Sequence, residues 1–551
     1  MVIHIDGLLS SAYGWNTINW EAAVGIVKRL QARIVKAVQA GDKRKVRGLQ
    51  RLLRRSFAAQ LLAVRRVTSN RGKRTPGVDG ILFNTPAKKW QAAQQLNLKG
   101  CRSQPLKRLC IPKKNGSKRP LGIPTMHDRC VQALEKLVLE PAAETTADPC
   151  SCGFRCKRSA HDAIEACHNA LRLKGSPRWI LEADIKGCFD HINHQWMLKH
   201  IPAHKGRLRN WLKSGYLERN QFHPTEAGTP QGGIISPVLA NMALDGMDAL
   251  LKKHFKKAQK IHMVRYADDF IITGDTKAVL EHEVRPLIAE FLKERGLELS
   301  EEKTKITHID KGFDFLGFTI RKYKGKLLTK PSKSSVASVK GKIKAIITAG
   351  KSTRTARLID LLNPVIRGWG NYFRHSAAKH TFYRIDHAIW EMTWQWARRR
   401  HPNKSLYWIK EKYFRHERNR NWVFKEKNGM VALHKMGDIP VTRFIKIRQE
   451  ANPYDPDWAE YFKDRARKAL MRKLKTKRGR LWMRQHGICP MCRTELDNEE
   501  GWHIHHLLPK ANGGTDTVDN LVLIHAACHR QIHSLYAINQ LPDASRRLIR
   551  A

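Results

Sequence analysis

Arg265-Tyr266-Ala267-Asp268-Asp269-Phe270-Ile271-Ile272 sets two adjacent carboxylates between two apolar runs, Ile261-His262-Met263-Val264 before them and Phe270-Ile271-Ile272 after them. Runs of this kind around a short polar centre predict a β-hairpin with its acids at the tip. Neighbouring carboxylates repel, and a fold tolerates that repulsion where a cation occupies the site. Magnesium suits such a place because it takes carboxylate oxygens together with substrate phosphates. A solvated turn is the plainer reading, since Asp is a common turn residue. A second apolar strand, Trp179-Ile180-Leu181-Glu182-Ala183-Asp184-Ile185, changes the odds by delivering another acid at its end. Three acids gathered from two strands are the minimum for a two-metal phosphoryl-transfer centre, in which one ion activates the attacking oxygen and the other stabilises the leaving one.

The surrounding chain has 551 residues, 42% of them hydrophobic, which is enough for several packed domains. Lys and Arg number 102 against 49 Asp and Glu, and a formal charge of +53 points to a large polyanion as partner. The 15 Trp and 11 Tyr supply faces on which bases can stack. A membrane surface is the competing polyanion. No apolar run reaches about 18 residues, and Asp6 interrupts the only candidate leader, so neither spanning nor secretion is expected. The 11 Cys are mostly scattered, which fits a reducing, cytoplasmic compartment.

In chain order, residues 20 to 66 read as helices. Val27, Leu30, Ile34 and Val38 form one stripe and Leu49, Leu52, Leu53 and Phe57 another, opposite many Lys and Arg. A nucleic-acid arm and a merely solvated face are equally open there. The stretch from Pro105 to Pro124 reads as a basic hairpin turning at Asn115-Gly116, with Lys113 and Arg119 set over a triphosphate. A helix is expected from Asp128 past Leu134, Leu137 and Val138 to a breaker at Pro141. Phe189, just past Asp184, either stacks under a sugar and excludes a 2′-hydroxyl or sits in the core. The Gly228-Thr229-Pro230-Gln231-Gly232-Gly233 loop opens a helix and lets Gln231 lie close to a base pair or nucleotide. Leu297 to Thr304 gives a helix-to-strand passage, and Phe313 to Ile320 an alternating strand.

These blocks, in this order, resemble the reverse transcriptase of group II intron-encoded proteins over about residues 15 to 320. The match runs through Thr75-Pro76-Gly77-Val78-Asp79-Gly80, Arg119-Pro120-Leu121-Gly122-Ile123-Pro124, the Asp184 strand, Pro230-Gln231-Gly232, Tyr266-Ala267-Asp268-Asp269 and Phe315-Leu316-Gly317-Phe318. The resemblance implies an α+β multidomain, right-hand polymerase, with fingers and palm on antiparallel sheet and an α-helical thumb. It implies Asp184, Ile185, Asp268 and Asp269 around two magnesium ions, with Asp184 and Asp268 as the main ligands. Phe189 would be the sugar gate, Lys113, Arg119 and Gln231 nucleotide contacts, and Lys303 a proton donor.

Beyond residue 331 the helical patterns Leu361 to Arg374 and Ile389 to Trp396 are dense in Arg, Trp and Tyr. They resemble the thumb, or maturase, domain of the same family, which grips the intron's own RNA. Trp390 and Trp394 are expected in the core, with Arg367, Arg374 and Arg398 to Arg400 outside, where basic helices suit folded RNA. Asn452-Pro453-Tyr454-Asp455-Pro456-Asp457 reads as a linker. The basic run from Lys463 to Arg484, with Lys473, Lys475, Lys477, Arg478 and Arg480, suits duplex phosphates or forms a solvated tether.

At the C-terminus, Cys489-Pro490-Met491-Cys492 and His525-Ala526-Ala527-Cys528 pair as a tetrahedral zinc set with three thiolates and one imidazole. Most relatives use four cysteines, so a cluster that has lost its zinc is the competing reading. His505-His506, Asn520 and Cys528-His529-Arg530-Gln531-Ile532-His533 resemble an HNH endonuclease, a small ββα-metal fold. His529 and His533 stand one helical turn apart on one face and, with His505, would hold a divalent ion. His506 would be the general base, oriented by Asn520. A DNA-binding knuckle that does not cut is the alternative.

The expected division is a basic helical extension and start of the fingers at 1–90, fingers and palm at 91–325, thumb at 326–450, a DNA-binding segment at 451–485 and the nuclease at 486–551. The implied function is RNA-directed DNA synthesis, assistance to intron splicing and DNA cleavage in target-primed reverse transcription. The implied partners are intron RNA as a lariat ribonucleoprotein, double-stranded target DNA, an RNA template with a DNA primer, and dNTPs, with no membrane and a homodimer left open. The expected setting is the bacterial cytoplasm, at the nucleoid. A splicing cofactor that no longer polymerises and a defence-type reverse transcriptase are the alternatives.

Overall fold

The computed structural model describes residues 14–96, 102–112, 116, 118–417, 420–426, 431–471, 477–496 and 501–537. Asp6 and the leader reading therefore lie outside the described residues. Among the described residues, no helix is long and apolar enough to cross a membrane.

At the centre is a four-stranded antiparallel sheet in the order His262–Tyr266, Asp269–Gly274, Trp179–Asp184, Lys305–His308. Its two inner strands, Asp269–Gly274 and Trp179–Asp184, are mostly apolar and buried because both faces are covered. Leu181 and Ile272 turn to a core shared with the N-terminal helices, whereas Ile180 and Ile271 turn to a core shared with the thumb. Successive strand residues point to opposite faces. The sheet is therefore the wall between the two cores, and one end of its two inner strands carries the acids.

Three helices, Trp20–Gln39, Lys43–Arg55 and Phe57–Ser69, build the N-terminal layer. The side chains of Asn19 and Asp42 cap the first two. Val27, Leu30, Ile34, Leu49 and Leu53 are buried as their spacing predicts, but Leu52 is 52% exposed. The next helix, Met126–Thr146, is capped by Thr125 and runs through Pro141, which does not stop it. Proline removes the N–H that would bond the carbonyl four residues back. Here that carbonyl, on Leu137, accepts a 2.9 Å hydrogen bond from Gln31 Nε2 instead.

The basic hairpin pairs Leu106–Pro112 with Lys118–Ile123 and extends through Tyr216–Glu218 and Gln221–His223 into a second four-stranded sheet. Lys113 lies outside the described residues. The Phe313 to Ile320 stretch forms a hairpin, not one strand. Phe313–Phe315 and Phe318–Tyr323 meet at Leu316 and Gly317, with φ of 49° and 83°. Consecutive positive φ values make the tight turn that matches strand twist.

The thumb packs Lys333–Ala349, Thr355–Phe373 and Lys379–Arg400 together, followed by Leu406–Tyr413. Trp396 is its buried tryptophan, while Trp390 and Trp394 are half-buried edge-on against Trp422, at 5.7 and 5.2 Å between ring centroids. Arg367, Arg398 and Arg399 face outward, but Arg374 and Arg400 are half-buried, and Arg400 donates to the Thr353 carbonyl at 2.7 Å.

The expected linker after the thumb is a docked strap. Asn452 Nδ2 donates to Thr145 Oγ1 at 3.0 Å, Tyr454 Oη to Glu140 at 2.7 Å, and Gln39 Nε2 to Asp455 at 2.9 Å. Helices Ala459–Met471 and Lys477–Arg484 follow; Lys473 and Lys475 lie outside the described residues. Arg465 turns inward to buried Asp162 at 3.0 Å, whereas Lys463, Arg467, Lys468, Lys477, Arg478 and Arg480 face solvent. The last of the described elements are the antiparallel strands Trp502–His506 and Leu521–His525 and the helix Ala526–Ala537.

Candidate functional site

The central sheet brings the three acids together. Asp184 and Asp269 are direct cross-strand partners, and Asp268 sits with Ala267 in the two-residue turn between strands, Ala267 taking φ 59°. Desolvation raises the Asp268 carboxyl above its ordinary range, with Asp184 adding to the rise and Arg119 opposing it. Asp269 is pushed up to about 7 by desolvation, then by its hydrogen bond to Asp184 and the charge of Asp268. Three oxygen donors that resist sharing their charge are the chemistry of a divalent-cation site. Lys303 forms an ion pair with Asp184, and that hydrogen bond raises the ammonium above its usual value. Ile185 is buried in an isolated bridge with Leu299, and the Ser300 N–H holds the Asp184 carbonyl at 2.8 Å.

The turn is braced from beneath by residues that sequence reading passed over. Arg265, with none of its surface exposed, reaches Asp245 at 2.5 Å, Asn241 at 3.3 Å and the Ala267 carbonyl at 3.5 Å. Gly153 packs against the turn so closely that a Cβ there would lie 2.3 Å from the Ala267 nitrogen.

Just past Asp184, Phe189 is half-buried on the short helix Cys188–His191, edge-on to Phe154 with 6.3 Å between ring centroids. Its carbonyl accepts the Thr229 N–H at 2.6 Å, so the Gly228-Thr229-Pro230-Gln231 loop is docked onto this segment. Gln231 Nε2 donates to both carboxylate oxygens of Asp190, at 3.0 and 2.9 Å. Asp190 lies inside the Asp184 motif, and its partner could not be read from spacing. Arg119 is exposed on the fingers strand; Lys113 is outside the described residues.

The C-terminal ββα unit holds two clusters. Cys489, Cys492, His525 and Cys528 are all buried, with one ligand atom from each lying within 4.8 Å of the others. His525 Nε2 donates to the Glu495 carbonyl at 3.0 Å, which leaves Nδ1 facing Cys492 Sγ at 3.3 Å. A carbonyl can only accept, so this contact fixes the tautomer that turns a lone pair to the thiols. The set fits a zinc ion.

His505, His529 and His533 form the second cluster, with ring centroids 5.2, 5.7 and 4.5 Å apart. Burial and the neighbouring imidazoles hold His505 and His529 down at about 4, so both rings stay neutral. His505 Nε2 is buried with no hydrogen-bond partner among the described residues. An orphaned imidazole nitrogen aimed at two others fits a divalent ion.

His506 follows on the same strand and so faces the other way. Its Nε2 lies 2.8 Å from Asp516 Oδ1, and Lys510 holds the second Asp516 oxygen at 2.7 Å. Lys510 and then His506 hold the Asp516 carboxyl down at about 2. The expected orienter Asn520 does a different job: it accepts from Leu508 N at 2.7 Å and donates to Leu508 O at 3.0 Å and Thr515 O at 2.9 Å. These bonds use its whole amide to pin the loop backbone. Asp516, ten residues past His506 in the loop, carries no motif signal of its own.

Four family models match in chain order: the N-terminal domain of reverse transcriptase at residues 15–96, reverse transcriptase (RNA-dependent DNA polymerase) at 111–320, the group II intron maturase-specific domain at 336–414 and HNH endonuclease at 489–535. Protein YkfC of Escherichia coli K12 is 34% identical over 316 residues, 49% of this chain and 82% of that protein. The group II intron-encoded protein LtrA of Lactococcus lactis subsp. cremoris is 31% identical over 360 residues, 52% of this chain; the chain spans 59% of LtrA. A telomerase structure from Candida albicans aligns with 56% of this chain and 64% of that one at 12% identity and a TM-score of 0.33, too loose a likeness to carry an argument. The chain belongs to the group II intron-encoded proteins that join a reverse transcriptase, a maturase domain and an HNH endonuclease in one polypeptide.

Proposed function

We propose that the chain carries out target-primed reverse transcription: with its intron RNA it enters duplex DNA, nicks one strand, and copies the RNA from the 3′-hydroxyl so released. The observation that carries this reading is the register that sets Asp184 against Asp269 with Asp268 in the adjoining turn. Asp184, Ile185, Asp268 and Asp269 would hold two magnesium ions, which supply charge stabilisation at the transferring phosphoryl group. Arg119 meets the incoming triphosphate and Gln231, oriented by Asp190, the nascent pair. Phe189 backs the sugar, and Lys303 stands beside Asp184, where it can hand a proton to the departing pyrophosphate. Lys113, six residues before Arg119 in the sequence, belongs with the triphosphate contacts.

In the nuclease, His505, His529 and His533 would hold one divalent ion that polarises the scissile phosphate. His506 takes the proton of the attacking water, with Asp516 accepting from its far nitrogen and stabilising the imidazolium that forms. Cys489, Cys492, His525 and Cys528 would hold structural zinc. The thumb's outward arginines suit intron RNA, and the solvent-facing cations of Ala459–Met471 and Lys477–Arg484 suit target duplex phosphates. The domain division at 90, 325, 450 and 485, the lariat ribonucleoprotein and the nucleoid setting are part of this proposal.

Asp268→Ala is expected to abolish cDNA synthesis while leaving splicing and RNA binding, and His506→Ala to abolish nicking while leaving polymerisation. Equal loss of both activities from either change refutes the division of labour. Sequencing RNA that copurifies with the chain separates this reading from a defence-type reverse transcriptase, which would not retain an intron lariat.

A further inference from the structure

The nuclease does not hang from the polymerase on a tether. Leu523 and Ile532 of the ββα unit belong to the same hydrophobic core as Leu61 and Val64 of the N-terminal helices. Trp20, 5% exposed, donates from Nε1 to Gln531 Oε1 at 3.0 Å, and Gln531 Nε2 reaches the Asn16 carbonyl. Gln531 lies on the helix between His529 and His533. The joint therefore touches the element that carries both histidines.

At the centre of this joint is Arg65, on the helix Phe57–Ser69. Its side chain is buried, with 4% of the residue exposed. The guanidinium carbon lies 4.7 Å over the Trp20 ring, and Nη2 is 3.8 Å from Cys528 Sγ. A zinc ion held by three thiolates and one neutral imidazole carries a net negative charge. Burying such an anion costs less beside a compensating cation that also donates a hydrogen bond. A guanidinium at 3.8 Å from one thiolate, locked by an indole, meets both needs.

We infer that Arg65 balances the charge of the zinc thiolates, so that metal loading of the nuclease fastens it to the N-terminal helices of the reverse transcriptase. Arg65 is a positioning residue for the metal and the domain joint, and takes no part in either reaction. The inference rests on Cys489, Cys492, His525 and Cys528 binding zinc. Its consequence is that stripping the zinc loosens part of the polymerase.

The test uses the full chain and reads metal, not activity. Wild type and Arg65→Met compete for zinc against a chromogenic chelator, and the variant is expected to lose about 10- to 100-fold in affinity. Arg65→Lys, which keeps the charge, should fall between them. Independently, chelation of wild type should speed amide hydrogen exchange in Trp20–Gln39 and Phe57–Ser69, and this measurement decides the matter if Arg65→Met does not fold. One zinc per chain with unchanged affinity in Arg65→Met, or exchange in both helices indifferent to chelation, overturns the inference alone. Metal analysis that finds no zinc in wild type removes the reading of the cluster, and the inference with it.

Discussion

Arg265 and Asp245 form a buried ion pair at 2.5 Å directly beneath the turn that carries Asp268. The arginine comes from the acid-bearing strand itself, and the aspartate from the end of the helix Ser236–Leu244. Arg265→Met leaves a buried carboxylate without its partner, which costs on the order of 3–5 kcal/mol. Chemical denaturation followed by intrinsic Trp fluorescence measures that loss. Primer extension should fall further than the folded fraction does, because the Ala267 carbonyl loses its brace. A variant as stable as wild type would show that the pair supports nothing.

The same carboxylate sets a pH dependence. Burial outweighs the charge of Arg265 and raises Asp245 to about 6 from its ordinary 3.8. The folded state thus holds the proton more tightly than the unfolded chain does. This contribution to stability is full below about pH 4, is lost as pH rises to about 6, and is level above that. Each pH unit across that interval is worth about 1.36 kcal/mol, so the whole contribution comes to about 3 kcal/mol. The stability of wild type relative to Asp245→Asn should therefore fall between about pH 4 and 6, read from denaturation midpoints; a flat difference contradicts it.

Asp190 holds Gln231 by two hydrogen bonds, at 3.0 and 2.9 Å. Asp190→Ala frees the amide without touching the three cation-site acids. KM for dNTP should rise by about tenfold with a smaller change in kcat, as expected when a binding contact loses its preorganisation. Steady-state extension on a homopolymer template separates the two constants, and a purely kcat effect would place Asp190 elsewhere in the reaction.

Asp516, not Asn520, faces the His506 imidazole. Asp516→Asn should slow nicking by about 100-fold and leave polymerisation intact. Asn520→Ala should instead lower the melting temperature of the nuclease unit by freeing Leu508 and Thr515. Nicking assays beside differential scanning calorimetry distinguish the two, and the reverse pattern would restore Asn520 as orienter.

The acids, the cysteine–histidine and histidine clusters and the basic hairpin were legible because each rests on local chemistry: an apolar run that ends in a carboxylate, or candidate ligands closely spaced along the chain. Contacts made across the fold were not. Pro141 reads as a stop because its cost is local, yet Gln31 meets it from another helix. Leu316-Gly317 hid a turn inside an apolar pattern, since Leu rarely takes a positive φ. Trp396 is the buried one, against Tyr413 and Phe424, whereas Trp390 and Trp394 meet Trp422, itself 36% exposed, on a later strand. The strap at Asn452 to Asp455 looked like a linker by composition, and only its partners at Thr145, Glu140 and Gln39 reveal otherwise.

That strap makes the thumb a handle attached at both ends. A thumb joined to the palm only near Pro331 could swing on one pivot. This one shares a core with the central sheet, and to move it must also drag two helices with it or break three hydrogen bonds. Weakening the return attachment by removing two of these bonds, with Tyr454→Phe combined with Asn452→Ala, should leave the first nucleotide added unaffected. What should shorten is the run of copying before the enzyme lets go of its strand.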